Sequence, residues 1–407
     1  MSFFPFSQAS PLLLATTLAL LLTLVSLSWT IISIRVVRSQ WRIPPLNITV
    51  PRDKGPLISV IITARNEVHS ITQTLQTVLC QKYSPLETIV VDDGSDDGTA
   101  MKVQQIKKRL TDGDIHLRLL RIKSRPHNWV GRTYACHRGA KLAKGKWLLF
   151  TDADIELAPT TVSSTLAYAT ESNIDFISAK PRFNCNGRIS KTIVPLLDQV
   201  ISLFFPIELV NSQNDQRAYL YGSFIFVNRD TYLKLGGHSS VRGEVVEDRA
   251  LGELVKRAGL SLRIVDGLDI IQTTWPNKFW SIWVGLQRIL SSSIRRDIME
   301  GILFGVAGVF LWLLPWVLLP FYLIQASVLG EGIFAAGLAG ALYSLCLMTI
   351  LTGLVSRRTG INPLNSVLLP IGATIFLSAV FYTAYKVARG GTIMWKDRSY
   401  RVRSITK

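Results

Sequence analysis

The sequence contains few cysteines and few acidic residues for its length. The four cysteines are Cys80, Cys136, Cys185 and Cys346, and their spacing does not match a metal site or a CxxC motif. We expect them to behave as small apolar side chains in a protein of a reducing compartment. Asp and Glu number 28 against 45 Lys and Arg, which gives the 407-residue chain a net charge of +17. No basic, aromatic-rich motif accompanies that charge, so nucleic acid is not an expected partner. Cytoplasmic loops beside long apolar segments, or anionic lipid headgroups, explain the charge better.

Two common nucleotide-binding signatures are also missing. No GxGxxG motif follows a strand pattern and no GxxxxGK[ST] motif occurs, so neither dinucleotide binding nor Walker-type ATP binding is supported. Charged residues are absent from three C-terminal apolar runs, at 302–328, 332–355 and 364–385. Transporters place ionisable groups within their membrane spans, so this absence argues against a transporter.

Four apolar runs are long enough to cross a bilayer. The first, at 12–34, has no positive charge before it and no small-residue cleavage site after it, which favours a membrane anchor over a cleaved signal peptide. Arg35, Arg38 and Arg42 follow it, so the chain is expected to emerge on the cytoplasmic side. The other spanning candidates lie at about 302–328, 332–355 and 364–386.

The C-terminal spans conflict with the distribution of positive charge. Three crossings would place the C-terminal tail outside, although its basic residues favour the cytoplasm. Arg357 and Arg358, between the last two runs, also favour the cytoplasm. One of the three runs is therefore expected to be re-entrant or interfacial, and Pro370 and Gly372 favour the run at 364–386. The basic residues of the tail that also favour the inside are Lys396, Arg398, Arg401, Arg403 and Lys407.

The block between the first and second spans alternates strand and helix patterns. "LISVIIT" at 57–63 is a continuous apolar run, as expected for a parallel strand buried on both faces. The alternation predicts a doubly wound, mostly parallel α/β sheet, in which ligands bind at the carboxyl ends of strands. Further strands are predicted at 87–93, 116–121 and 147–154, and helices at about 67–80, 97–110 and 131–143.

The second predicted strand ends in two carboxylates. In "VVDDGSDDGT" at 90–99, Asp92 and Asp93 precede the turn, whereas Asp96 and Asp97 follow the first glycine. An Asx turn and a helix N-cap can account for Asp96 or Asp97. Neither accounts for the first pair.

The fourth predicted strand also ends in carboxylates. "LLFTDADIELAP" at 148–159 places Asp152 and Asp154 at the strand end, and the winding brings this end to the same edge as the other acid pair. Clustered carboxylates cost free energy unless a cation joins them. Mg²⁺ or Mn²⁺ is usually held by one or two carboxylates together with substrate phosphates. The pattern therefore predicts half a metal site that a diphosphate completes.

A third acidic element lies downstream. In "GGHSSVRGEVVEDRALGELVKRAGL" at 236–260, Glu247 and Asp248 open a predicted amphipathic helix. Acids at a helix start can simply interact favourably with the macrodipole. After the other two acidic elements, however, Asp248 is expected to deprotonate an acceptor hydroxyl while a metal-bound diphosphate leaves.

These segments together resemble the motif series of family 2 glycosyltransferases, which have the GT-A fold. "HNWVGRTYACHRGAKLAKGKWLLFTDAD" and the late "MWKDRSY" resemble most closely membrane glycosyltransferases acting on apolar acceptors, including bacterial carotenoid glycosyltransferases. The resemblance covers about 55–300 in motif order, plus the tail. The motifs are "ITARNE" (62–67), "VVDDGSDDGT" (90–99), "TDADI" (151–155) and "VVEDRALGELVKRAG" (245–259).

The resemblance implies a nucleotide-sugar donor and assigns residues to it. Asp93 would read the base, and Asp92 would support the loop that carries it. Arg132 occupies a position where relatives often carry Lys. It would either contact a phosphate or be a solvated charge at the start of a helix, and the sequence does not decide between the two. The residues that would line the base and ribose are Thr63, Ala64, Arg65 and Glu67.

The resemblance also assigns the metal and the catalytic base. Asp152 would contact the ribose or the metal, which would be Mg²⁺ or Mn²⁺, and Asp154 would bind the metal. Asp248, with Glu247 beside it, would be the catalytic base of an inverting displacement.

One region departs from the processive polysaccharide synthases, which carry a Q-x-x-R-W motif after the base. Here 279–297 reads "FWSIWVGLQRILSSSIRRD", with Gln287 and Arg288 adjacent and no Arg-Trp pair. This difference favours transfer of a single sugar. Trp280 and Trp283 give the segment the aromatic character of a membrane-surface helix on the acceptor side, with ordinary core packing as the alternative.

The expected activity is transfer of one sugar to a hydroxyl of a membrane-resident apolar acceptor, with a hydroxylated carotenoid preferred. Diacylglycerol, a sphingolipid or a polyprenyl phosphate is the alternative acceptor; the phosphate fits less well because it needs no general base. A non-catalytic membrane protein that only binds nucleotide-sugars is the alternative class. The expected regions are an N-terminal membrane anchor (1–42), a cytoplasmic GT-A domain (43–274), an interfacial aromatic region (275–300), C-terminal transmembrane helices (301–388) and a basic tail (389–407).

Overall fold

The computed structural model describes residues 9–46, 50–110, 116–329 and 332–401. Arg403 and Lys407 of the predicted basic tail lie outside these residues. The helices are α1 (Ala9–Trp41), α2 (Ile71–Leu79), α3 (Thr99–Arg109), α4 (Gly131–Leu142), α5 (Thr161–Glu171), α6 (Arg188–Phe204), α7 (Ile207–Val210), α8 (Arg229–Lys234), α9 (Glu247–Arg257), α10 (Phe279–Ile294), α11 (Ile298–Gly308), α12 (Leu314–Leu329), α13 (Gly332–Arg358) and α14 (Leu369–Ala388). The strands are β1 (Lys54–Ala64), β2 (Ser84–Asp92), β3 (His116–Arg121), β4 (Trp147–Asp152), β5 (Ile155–Leu157), β6 (Phe176–Lys180), β7 (Arg182–Asn184), β8 (Phe224–Asn228), β9 (Leu262–Asp266), β10 (Ile271–Thr274), β11 (Thr392–Trp395) and β12 (Arg398–Arg401).

A seven-stranded sheet with the order β3-β2-β1-β4-β8-β6-β9 forms the centre of the α/β domain. The first four strands in this order are mutually parallel, and β8 runs antiparallel between β4 and β6. The expected mostly parallel α/β sheet is therefore confirmed. A smaller sheet, β5-β10-β7, lies beside it, and β11 pairs with β12 in a hairpin.

The apolar run of β1 reflects burial on both faces of the sheet. Val60 and Ile62 belong to the core cluster that contains Leu75 of α2. Ile61 belongs to a second cluster that contains Ala140 of α4. Because successive side chains of a strand point to opposite faces, helices on both sides favour apolar residues on both faces of β1.

Strand register brings the two acid pairs together. Ala64 at the end of β1 pairs with Asp92 on one side, and Thr63 pairs with Asp152 on the other side. The order of the sheet reverses at β1, so the carboxyl ends of β1, β2 and β4 surround the switch point at which α/β sheets bind ligands.

Several element boundaries differ from the sequence prediction. The helix expected from Glu67 begins at Ile71, because residues 68–70 form a turn. The helix expected from Asp97 begins at Thr99, and the Asp97 carboxylate accepts from the Thr99 amide at 2.9 Å. That contact is the predicted Asx turn.

In the part of the chain that the structure describes, four helical segments are long and apolar enough to span a membrane: Leu13–Trp41, Ile298–Ser327, Gly332–Arg358 and Pro363–Ala388. They match the four runs expected from the sequence. On α1, Leu20 and Leu24 are 63% and 61% exposed, whereas Leu22 is buried against α12 and α13. An apolar face exposed over such a length fits contact with lipid.

The last of these segments begins beside the α/β domain and ends against α10. Gly360, shortly before it, lies against Arg182 of β7. Near its end, Lys386 donates to Gln287 of α10, with Nζ and Oε1 3.0 Å apart. The hairpin β11–β12 that follows it contacts Arg65 and Asp93, so the tail packs on the α/β domain. The position of α14 relative to a membrane stays a prediction.

Candidate active site

A cavity of about 320 Å³ opens at the carboxyl ends of β1, β2 and β4. Its walls combine residues from each acidic element with α10 and the hairpin β11–β12. Most residues predicted from the sequence meet there although they are far apart in the chain. Those that line the cavity are Thr63, Ala64, Arg65, Glu67, Asp93, Arg132, Asp152, Asp154, Asp248 and Arg288.

Asp92 and Asp93 perform different tasks. Asp92 is fully buried; its Oδ1 accepts from the Ser95 amide (3.2 Å) and its Oδ2 accepts from Arg121 Nε (3.3 Å). It thus holds the loop, as the resemblance implies. Asp93 faces the cavity, and its Oδ2 accepts from Arg398 of β12. Among the described residues its buried Oδ1 has no hydrogen-bond partner, so an acceptor remains free there.

Asp152 and Asp154 provide two carboxylates to one wall. Burial, followed by the negative charges of Asp152 and Glu67, raises the pKa of Asp154 to about 7. Thr273 Oγ1 lies 3.5 Å from Asp154 Oδ1. The described residues contain no group of three or more His, Cys, Asp or Glu side chains arranged as a metal site. Two carboxylates nevertheless fit Mg²⁺ or Mn²⁺, whose other ligands are commonly water and substrate phosphates.

Arg132 connects two of the acidic elements. Its Nη1 donates to Glu247, and its Nη2 lies 2.7 Å from Asp152 Oδ1 and 2.7 Å from the Gly222 carbonyl oxygen. Burial lowers the pKa of Arg132, but the carboxylates of Asp152 and Glu247 outweigh burial and raise it well above its usual value. Its phosphate contact stays a prediction: Nη1 and Nη2 already bind protein acceptors, whereas the buried Nε has no hydrogen-bond partner among the described residues.

Glu247 and Asp248 are adjacent at the start of α9 but point to different places. Glu247 is buried and accepts from Arg132, so it does not line the cavity and positions that arginine. Asp248 lines the cavity, and its Oδ1 accepts from the Arg249 amide at 2.7 Å. Burial and then Glu247 raise the pKa of Asp248 to about 6, while Arg288 and Arg132 lower it. Such a pKa suits a general base near neutral pH.

Of the four acceptor-side candidates on α10, only Arg288 lines the cavity. Trp280 is 71% exposed, and Trp283 packs on Tyr382 of α14 at a centroid distance of 5.7 Å. Gln287 is buried. Because residues 280, 283 and 287 recur at helical spacing, they share a face that differs from the face of Arg288.

Sequence reasoning missed several residues of this cavity. Lys396, Arg398 and Tyr400 of the hairpin line it, as do Tyr219 and Gly222 before β8. The hairpin residues belong to "MWKDRSY", which carried part of the resemblance but was interpreted only as a basic tail. Lys396, Arg398 and Tyr400 are two residues apart, and this alternation was the signal that they could share one face of a strand.

Comparison with known proteins decides the family. A family model described as glycosyl transferase family 2 matches residues 59–236. Residues 59–236 therefore form a family 2 glycosyltransferase domain. It is 22% identical over 359 residues to a Staphylococcus aureus protein named 4,4'-diaponeurosporenoate glycosyltransferase, covering 85% of this chain and 88% of that protein. A protein of the same name from a second strain is also 22% identical, over 362 residues, with the same coverage.

A solved structure supports the fold of this glycosyltransferase. A mannosyltransferase from Pyrobaculum calidifontis, in complex with GDP-mannose and Mn²⁺, matches with a TM-score of 0.51 and 19% identity, covering 91% of this chain and 98% of that chain. At this identity the likeness shows the fold alone, and the predicted GT-A fold is confirmed. Four apolar helices of spanning length make the glycosyltransferase a membrane protein.

Proposed function

We propose that this glycosyltransferase moves one sugar from a nucleotide-sugar to a hydroxyl of an apolar acceptor that resides in the membrane. A hydroxylated carotenoid is the preferred acceptor; the S. aureus relatives are named for a carotenoid carboxylate, which supports the carotenoid class and not the hydroxyl. The observation that carries the proposal is the position of Asp248 in the same cavity as Asp93, Asp152 and Asp154. One cavity thus contains a candidate base and a candidate donor site.

The donor would bind at the ends of β1, β2 and β4. The free Oδ1 of Asp93 is suited to accept from a ring N–H of the nucleotide base. Asp152 and Asp154 would hold Mg²⁺ or Mn²⁺ next to the diphosphate. A bound cation would stabilise the negative charge of the leaving diphosphate. Arg132 keeps Asp152 in place from behind through the contact at 2.7 Å.

The acceptor would enter on the side of Asp248. Asp248 takes the hydroxyl proton while the acceptor oxygen forms a bond to the anomeric carbon of the sugar. The bond between that carbon and the diphosphate oxygen breaks, and the nucleoside diphosphate leaves with its electron pair. Attack on the face opposite the leaving group inverts the configuration. Phe183, Trp275 and Ile289 give this part of the cavity apolar walls that suit a lipid-like acceptor.

The catalytic domain would face the cytoplasm. Arg35, Arg38 and Arg42 near the end of α1 favour that side by the positive-inside rule, and nucleotide-sugars are available there. An acceptor that cannot leave the bilayer would then reach the cavity beside α10 and α14.

The test is a transfer assay with the full chain in lipid nanodiscs, Mn²⁺, and UDP-glucose or GDP-mannose as donors. The acceptors are a hydroxylated carotenoid, diacylglycerol, ceramide and a polyprenyl phosphate. We expect one glycosylated product with the unchanged chain, none with Asp248→Asn, and an unchanged yield with Asp269→Asn, which alters an exposed carboxylate. Equal turnover by Asp248→Asn would reject Asp248 as the base and favour an acceptor whose oxygen is already ionised.

A further inference from the structure

The C-terminal hairpin inserts its turn into the donor side of the cavity. Lys396 and Asp397 form the two-residue turn between β11 and β12, with φ of 47° and 62°. Positive φ is uncommon for residues other than glycine and costs free energy, so contacts elsewhere hold this turn. Those contacts are made with the two motifs that flank the nucleotide site.

The turn and the end of β1 bind each other reciprocally. Lys396 Nζ donates to the Glu67 carboxylate and to the Arg65 carbonyl oxygen, the latter at 3.2 Å. In return, Arg65 Nε donates to the Lys396 carbonyl oxygen at 3.0 Å. Glu67 and Arg65 are residues that the resemblance places around the base and ribose, so the hairpin contacts the donor site itself.

Arg398 holds Asp93 from one side. Its Nη1 donates to Asp93 Oδ2, and its Nη2 donates to the Asp93 carbonyl oxygen at 3.1 Å. Two parallel donors from one guanidinium fix both the side chain and the backbone of Asp93. Asp93 Oδ1 is left buried without a partner among the described residues, and it can turn only if these bonds break.

The hairpin also forms the partition between two cavities. Asp93, Arg398 and Tyr400 line both the site cavity and a neighbouring cavity of about 620 Å³. Lys123 and Arg125 line the neighbouring cavity, which is therefore cationic. A nucleotide bound at Asp93 lies at the junction, in contact with the hairpin.

We propose that the C-terminal hairpin is a wall of the donor site and that Arg398 is a positioning residue for base selection. By fixing Asp93, Arg398 directs the free Oδ1 towards a base that offers a ring N–H. Uracil, thymine and guanine carry such a group, whereas adenine presents a ring nitrogen acceptor in its place. This inference rests on the proposed function, because it requires a nucleotide donor.

The test measures binding of UDP, GDP and ADP to the full chain in nanodiscs with Mn²⁺, by isothermal titration calorimetry. The unchanged chain should bind UDP or GDP more tightly than ADP. Arg398→Ala should weaken the preferred nucleotide by roughly tenfold to hundredfold, the effect of losing a charge-assisted hydrogen bond, and change ADP binding little. Arg389→Ala is the matched control, because it removes an equal charge at the exposed end of α14.

A double variant separates positioning from general charge. If Arg398 acts through Asp93, Arg398→Ala combined with Asp93→Asn should bind no more weakly than Asp93→Asn alone. Arg398→Lys keeps the charge without the two parallel donors and should show an intermediate loss, which covers the case in which Arg398→Ala fails to fold. Additive losses of affinity in the double variant would overturn the inference. Tighter nucleotide binding by Arg398→Ala would also overturn it, because that result is expected if the tail blocks the site. No binding of any nucleotide by the unchanged chain would instead reject the proposed function.

Discussion

The backbone of Gly222 lies directly against the carboxylate of Asp248. A Cβ on residue 222 would stand 2.7 Å from Asp248 Oδ2 and 2.7 Å from Arg132 Nη1, closer than real Cβ contacts allow. A side chain on residue 222 would therefore have to displace the Asp248 carboxylate and the Arg132 guanidinium.

Gly222→Ala should displace Asp248 and lower kcat by roughly 10²-fold, because small errors in the position of a catalytic group are costly. Steady-state kinetics of the purified chain would measure the loss. Gly285→Ala is the matched control, since a Cβ there meets nothing within 4 Å. Normal activity of Gly222→Ala would show that Asp248 is not held in a catalytic geometry.

The pH dependence of the reaction should follow Asp248. Its carboxylate must be deprotonated to accept the hydroxyl proton, and burial raises its pKa to about 6. The rate should therefore be maximal above that pH and should decline as the pH falls through about 6. The measurement is kcat/KM for the acceptor between pH 5 and pH 8 at saturating donor, and a constant value across that range would contradict the assignment.

Arg132 should stabilise the fold as well as the site. Replacement by Met leaves Glu247, which is buried, without its cation, and breaking a buried pair in this way costs roughly 3–5 kcal/mol. Thermal unfolding in detergent should show a lower Tm for Arg132→Met. Adding Glu247→Gln should recover much of the Tm but not the activity, because Asp152 still lacks its partner. No recovery in the double variant would argue against the pair as the cause.

Nucleotide binding should depend on a divalent cation through Asp154. Chelation with EDTA, or Asp154→Ala, should remove the Mn²⁺-dependent part of UDP or GDP binding, because the remaining carboxylate gives too few ligands. Asp269→Ala, which changes an exposed carboxylate, should bind normally. Equal affinity with and without Mn²⁺ would reject the metal prediction.

The tail and the α/β domain should lie on one side of the membrane. In a cysteine-free chain in sealed vesicles, Gly390→Cys after α14 and Asp269→Cys in the domain should react with an impermeant maleimide from the same side. Gly332→Cys, at the start of α13, should react only from the other side. Opposite labelling of residues 390 and 269 would show that α14 crosses the bilayer and would contradict the docked hairpin.

The local pattern of apolar residues was sufficient to predict the strands that are buried on both faces. The run at 57–63 lies within β1, and β4 lies within the strand predicted at 147–154, because apolar continuity reports burial directly. The presence of Asp93 and Asp152 in one cavity could also be predicted, since parallel strands end at one edge.

Orientation within helices and contacts of the tail could not be predicted in this way. Glu247 and Asp248 differ by one helical step, so only the packing of α9 decides which one faces the cavity. Trp280 and Arg288 on α10 pose the same problem. The turn at Lys396 has charged residues where glycine or asparagine is usual, so the turn sequence itself did not mark the segment as a hairpin.

The most direct test of sugar transfer to a membrane acceptor is mass spectrometry of total lipid and pigment extracts. The extracts would come from cells with the gene intact, deleted or carrying Asp248→Asn. One glycosylated carotenoid or lipid should disappear in both altered strains while its unglycosylated precursor accumulates. Identical extracts from all three strains would contradict an apolar membrane acceptor.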